Sequence, residues 1–124
     1  MMGAFNWVLI NEKCPACQRN ATIRCQTHVG SSFGGGRDGR FQNREYRLGE
    51  KMLWWDESDS RYSTWQILGR GDGQLDSRSA EEACYSECTL CGARLYTILR
   101  FQDVTPSAVL GIGPREEWPP EYWK

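Results

Sequence analysis

Apolar and polar residues alternate with a period of two along several stretches of this chain, the period of half-buried strands. In Ala21–His28, Ile23, Cys25 and Thr27 share one face and Arg24, Gln26 and His28 the other. The aromatic and β-branched run Phe5–Ile10 predicts a strand just ahead of it. Ala93–Phe101 gives the clearest strand, with Leu95, Leu99 and Phe101 on one face, interrupted only by Thr97. A turn at Val104–Pro106 and a short final strand over Ala108–Ile112 follow.

The middle of the chain is less regular. Ser31–Gly39 holds four glycines in nine residues and reads as a surface loop. It lacks the G-x4-G-K-[ST] pattern of a phosphate-binding loop. Tyr46–Trp55 predicts a strand, a bend at Gly49 and a second strand. Asp56–Ser60 is an acidic turn, Ser63–Arg70 a further strand and Gly71–Gly73 a turn. Ser79–Cys84 fits either one helical turn or a strand. The helical reading makes Ser79 the N-cap, with Glu82 three residues on. Three prolines in 113–124 exclude a regular helix or a central strand from the tail.

The expected fold is therefore mainly β: a small antiparallel domain over 1–124, an insert of three or four strands within 29–83, and an irregular tail over 113–124. Composition agrees. The 124 residues are 40% hydrophobic and 25% charged, within the range of one soluble domain. Fifteen basic and sixteen acidic residues leave a formal charge of −1, so no global charge draws the chain to nucleic acid or anionic membrane. No apolar run approaches the ~20 residues of a membrane span. Six tryptophans either fill a small core or mark a binding face.

The cysteines change the picture most. Cys14-Pro15-Ala16-Cys17 and Cys88-Thr89-Leu90-Cys91-Gly92 are two C-x2-C pairs, 70 residues apart (Gln18 to Glu87). Each pair can aim two thiolates at one point, and two pairs brought together make the tetrahedral four-sulfur site of a closed structural Zn2+. Pro15 pre-sets the first turn. Gly92 permits a tight backbone after the last cysteine. A three-disulfide secreted scaffold is the alternative, but the opening Met-Met-Gly-Ala-Phe-Asn-Trp has neither the basic nor the apolar region of a signal peptide. A thioredoxin-like redox pair would want a single C-x-x-C opening a helix.

At these residues the chain resembles the zinc-ribbon class, in which a C-P-x-C knuckle and a C-x-x-C-G knuckle sit on two β-hairpins and share one zinc. The resemblance covers the knuckles and the strands beside them. It implies Cys14, Cys17, Cys88 and Cys91 as ligands of one structural Zn2+. The departure is the insert, because a minimal ribbon places roughly 12 to 20 residues between its pairs.

Function is read more coarsely. Cys25 and His28 (C-x2-H) with Cys84 could form a second, open metal site. However, the deaminase signature H-x-E with P-C-x-x-C and the protease signature H-E-x-x-H are both missing. So is the nucleophile motif G-x-S-x-G. The expectation is a non-catalytic cytoplasmic protein that binds another protein, with a toxin-neutralising, immunity-like or accessory role. The candidate contacts are the acidic turn (Asp56, Glu57, Asp59) and the acidic, aromatic tail (Glu116, Glu117, Trp118, Tyr122, Trp123). The alternative is a nucleic-acid contact through Arg37, Arg40, Arg44, Arg47 and Lys51. Their spacings of 3, 4, 3 and 4 would align them on one helix face. A metalloenzyme or redox protein using Cys25, His28 and Cys84 is the third reading.

Overall fold

A computed structural model describes residues 5–31, 41–66, 74–76 and 78–122. Its strands are β1 (Asn6–Lys13), β2 (Asn20–Thr27), β3 (Glu45–Arg47), β4 (Gln74–Asp76), β5 (Ser79–Cys88), β6 (Arg94–Gln102) and β7 (Thr105–Pro114). They form one mixed, curled sheet in the order β3-β1-β2-β5-β6-β7, with β4 paired to β5 off that path. All pairings are antiparallel except β1 with β3. The mainly β architecture read from the residue pattern is borne out. Among the described residues the only helical segments are three 3-10 turns, and no helix is long and apolar enough to cross a membrane.

Two hairpins make the frame. β1 and β2 pair over eight residues, from Asn6–Thr27 to Lys13–Asn20. β5 and β6 pair over nine, from Ser79–Gln102 to Glu87–Arg94. The hairpins join through β2 and β5, where Ile23 sits opposite Cys88 and Cys25 opposite Ser86. Because that junction is antiparallel, the start of β2 lies beside the end of β5, and both knuckles fall at the same end of the sheet.

The inner face is apolar. Val8, Ile10, Ile23, Cys25, Leu95, Leu99 and Phe101 are all buried there. Residues from the insert close over it: Val29, Tyr46, Met52 and Trp65 belong to the same core. Among its described residues the insert holds two short strands of its own, β3 and β4, and the start of β5, and most of the strand positions expected over 46–66 are irregular. Of Tyr46–Trp55 only Tyr46 and Arg47 are strand, in a β3 that runs parallel to β1. Tyr62–Trp65 is a 3-10 turn, and 67–70 lie outside the described residues. The physical reason is that these side chains bury without a strand ladder to carry the backbone. Isolated bonds serve instead: Leu53 N–H donates to the Tyr46 hydroxyl (3.0 Å), Met52 N–H to Val104 O (2.9 Å) and Gly30 N–H to Trp65 O (2.9 Å). The bend at Gly49 is present, with φ +84°.

One open alternative is resolved and two local expectations are corrected. Ser79–Cys84 is the first half of β5 and not a helical turn, because its backbone pairs with β6 and Glu82 turns inward. The last turn is Asp103–Val104 in place of the expected Val104–Pro106, and Thr105 and Pro106 already belong to the next strand. Asp103 and Val104 have positive φ (50° and 56°), the conformation that matches the twist of a two-residue hairpin. Strand β7 therefore starts at Thr105. Arg44, Arg47 and Lys51 form no helical stripe, since Arg47 is in β3 and Lys51 in irregular backbone; Arg37 and Arg40 lie outside the described residues.

Both sheet edges are blunted against pairing with another chain. β3 is three residues long, with exposed Glu45 and Arg47. β7 carries no charge, but its register with β6 shifts twice, at Ile98/Leu99 and at Arg100/Phe101.

Candidate metal centre

The Cys14 and Cys88 knuckles are built alike. In the first, Cys14 N–H donates to Arg19 O (2.9 Å) and Gln18 N–H to Cys14 O (2.8 Å). In the second, Cys88 N–H donates to Ala93 O (3.0 Å) and Gly92 N–H to Cys88 O (2.8 Å). In each, two further N–H groups point at the first sulfur. Ala16 and Cys17 donate to Cys14 Sγ at 3.3 and 3.5 Å, and Leu90 and Cys91 to Cys88 Sγ at 3.4 Å each. The residue after each pair is left-handed: Gly92 at φ +77°, and Gln18 at φ +63°, whose side chain donates to Pro15 O. Thr89 bonds Thr22 O through both its N–H (3.0 Å) and its hydroxyl (2.8 Å), which ties the second knuckle to the first hairpin.

The outcome is one cluster. The sulfurs of Cys14, Cys17, Cys88 and Cys91 all lie within 4.8 Å of one another, and Cys14 Sγ is 3.8 Å from Cys91 Sγ. Four sulfurs placed tetrahedrally at the usual Zn–S length of ~2.3 Å would be about 3.8 Å apart. Cys14 and Cys88 are buried, Cys17 is half-buried and Cys91 faces solvent. The donor set is therefore able to hold a metal ion.

Electrostatics points the same way. A backbone hydrogen bond with Arg19 leads the effects that lower the Cys17 thiol. Burial pushes Cys88 up, but the N–H groups of Cys91 and Leu90, with the neighbouring thiols, bring it down to about 7. Backbone bonding at Ala93 favours the Cys91 thiolate, yet burial and the three nearby sulfurs push it up to about 11. Such a group ionises readily once and reluctantly at the end. A divalent cation removes the mutual repulsion that makes the last thiolate costly.

The other sequence candidates sit elsewhere. Cys25 and Cys84 are buried on the inner face and His28 is at the end of β2. All six cysteines are unbridged. Burial is the main cause that drives the Cys25 thiol up to about 11, as expected of a small apolar core residue. His28 and Cys84 instead converge on Glu82, which is 1% exposed. Its carboxylate accepts from the Thr27 hydroxyl (2.5 Å) and from His28 N–H (3.2 and 3.3 Å). His28 Nδ1 lies 3.0 Å away and Cys84 Sγ 3.5 Å. Among the described residues, the four knuckle cysteines are the only group that could hold a metal ion.

Glu82 is the residue sequence reading missed as a site. Its signal was the period of two: Ala80, Glu82, Cys84, Ser86 and Cys88 all face inward once β5 is taken as a strand. A buried carboxylate needs such donors. Here they hold the end of β2 against β5, beyond the point where the β2–β5 ladder stops at Cys25–Ser86.

The predicted contact residues are scattered. Asp56 and Asp59 satisfy local donors: Ser58 bonds Asp56 (2.6 and 3.1 Å), and Arg61 makes three bonds to Asp59 (2.7 to 2.9 Å). The Arg61 side chain is the leading cause that holds the Asp59 carboxyl down at about 2. Glu57, Glu116 and Glu117 are exposed. The tail turns back onto the outer face of the sheet. Trp118 packs on Tyr85, with centroids 5.1 Å apart, and the Tyr122 hydroxyl donates to Glu81 (2.9 Å). Trp123 lies outside the described residues. No protein-family model, curated protein or solved structure matches this chain.

Proposed function

We propose that the chain is a non-catalytic binding module of the cytoplasm, stapled by one structural Zn2+ in a zinc-ribbon-like arrangement of its two hairpins. The observation that carries this is the convergence of four cysteine sulfurs within 4.8 Å from the ends of two hairpins. Four protein ligands fill a tetrahedral zinc and leave no open position for substrate or water. Unbridged thiols suit a reducing compartment. Zinc ligation contributes on the order of 10 kcal/mol to folding, which offsets the weakness of a small core interrupted by irregular backbone.

The work of such a frame is recognition of another macromolecule. A toxin-neutralising protein contact through the acidic turn and tail is the second reading, favoured by exposed Glu57, Glu116 and Glu117. The local pairing of Asp56 and Asp59 and the docking of Trp118 and Tyr122 on the sheet instead move the weight to the outer sheet face. Native mass spectrometry before and after chelation tests the zinc reading. One zinc per chain, lost together with the native tryptophan fluorescence, is expected. No metal, with a mass six protons light, would make this a disulfide protein. Two metals would reopen catalysis.

A further inference from the structure

The outer face of the sheet is unlike the wet face of an ordinary antiparallel sheet, which is mostly polar. It holds a groove of about 250 Å3, lined by Trp7, Arg24 and Gln26 from the first hairpin and by Tyr85, Glu87 and Arg115 from the other side. Each side carries an aromatic ring with a guanidinium over it. Arg24 Cζ is 3.6 Å from the centre of the Trp7 ring, and Arg115 Cζ is 5.0 Å from that of Tyr85. Both cations are held in place. Arg24 Nη2 reaches Glu45 Oε2 at 3.4 Å, while Arg115 donates to Leu95 O (3.2 Å) and Ser86 O (2.6 Å). Tyr85 is 52% exposed although Trp118 buttresses it. Tyr96 lies so flat across Gly113 that a Cβ there would meet its ring at 2.6 Å, so glycine at 113 keeps the face level.

Beside this aromatic row runs a charged one. Arg47 is in register with Leu9, Leu9 with Arg24, Arg24 with Glu87, and Glu87 with Arg94. Three guanidiniums and one carboxylate thus cross five strands, a span of about 19 Å at ~4.8 Å per strand. Counting Arg115 at the groove and Glu45 on Arg24, four guanidiniums (Arg24, Arg47, Arg94, Arg115) stand against two carboxylates (Glu45, Glu87), a local excess of two positive charges in a chain whose formal charge is −1. Aromatic faces and guanidinium planes stack unpaired bases without regard to sequence, and arginines in line accept the phosphates between them. The Gln26 amide and the Glu87 carboxylate can each meet the edge of a stacked base.

We infer that the groove is a stacking site for one base of a single-stranded nucleic acid, with the flanking phosphates on the Arg47–Arg24–Arg94 row. This rests on the reading of the chain as a non-catalytic binding module, and it locates the binding on the outer sheet face and not on the Arg37–Lys51 segment as a whole.

The test is fluorescence anisotropy of labelled oligo-uridine and oligo-thymidine, about ten nucleotides long, with the zinc-loaded full chain at about 50 mM salt. Saturable binding is expected, with log Kd rising against log salt at a slope of about 2 for three phosphate contacts. Tyr85→Ala, at an exposed position, should weaken binding about ten-fold. Arg24→Gln should weaken it and lower the slope by about 0.7. Equal affinity of both variants and the parent, or no saturable binding, would overturn the inference. So would uridine monophosphate binding as tightly as the oligomer, or hexaglutamate displacing the oligomer as well as unlabelled oligomer does. Zinc content is read on the same samples: intact zinc without oligomer binding sinks the groove alone, whereas absent zinc sinks the metal reading.

Discussion

The two hairpins and the segment 41–66 fill one core by different means. In the hairpins, β1 with β2 and β5 with β6, nearly every backbone group is in a ladder and every second side chain points inward. In 41–66 the backbone is mostly irregular, yet Phe41, Met52 and Trp65 are at least 94% buried. Regular pairing sets positions in the frame; size and fit set them in the insert. The proposed zinc would staple the frame, whereas single large side chains set the insert, which packs on that frame.

The largest effect should come from the metal. Chelation, or Cys88→Ser, removes a contribution on the order of 10 kcal/mol and should unfold both regions at room temperature. Loss of the β signal in circular dichroism would register it; a chain that keeps that signal would uncouple the frame from the metal. Next is Trp65→Ala, which empties the centre of the insert and should cost about 3–5 kcal/mol in denaturant unfolding. Zinc stoichiometry should stay at one per chain, because the insert depends on the frame and not the reverse; loss of zinc in that variant would show that the frame depends on the insert as well.

Glu82→Ala should cost about 3 kcal/mol, because the Thr27 hydroxyl and His28 N–H lose a buried acceptor. Glu82→Gln, which keeps one carbonyl oxygen, should cost less, and equal costs in urea titrations would argue against the hydrogen-bond explanation. The smallest effects lie between the two knuckles. Gly92→Ala should destabilise by about 1 kcal/mol at φ +77°, and Gln18→Gly should stabilise by less than that, since Gln18 holds φ +63° without glycine's freedom. Thermal melts of the zinc form would detect both shifts, and opposite signs are the expected signature.

Where the period of two was intact, as in Ala21–His28 and Ala93–Phe101, sequence alone located the strands. The C-x2-C spacing likewise located the cluster, because ligand chemistry is written in residue type and spacing. The insert was illegible for a physical reason: Met52, Trp54 and Trp55 report burial or partial burial, and burial does not say whether a ladder runs beside it. Glu82 was hidden because Ser79 and Glu82 also match a helix N-terminus, and only pairing with β6 settles which backbone they adopt. Trp118 and Tyr122 looked free because nothing local predicts that a proline-rich tail will pack on Tyr85 and Glu81, far away in sequence.

The most direct measurement is X-ray absorption at the zinc edge of the purified protein. Four sulfur neighbours at about 2.3 Å are predicted, from Cys14, Cys17, Cys88 and Cys91. A shell containing nitrogen or oxygen, or fewer than four sulfurs, would contradict a closed site at the ends of the two hairpins.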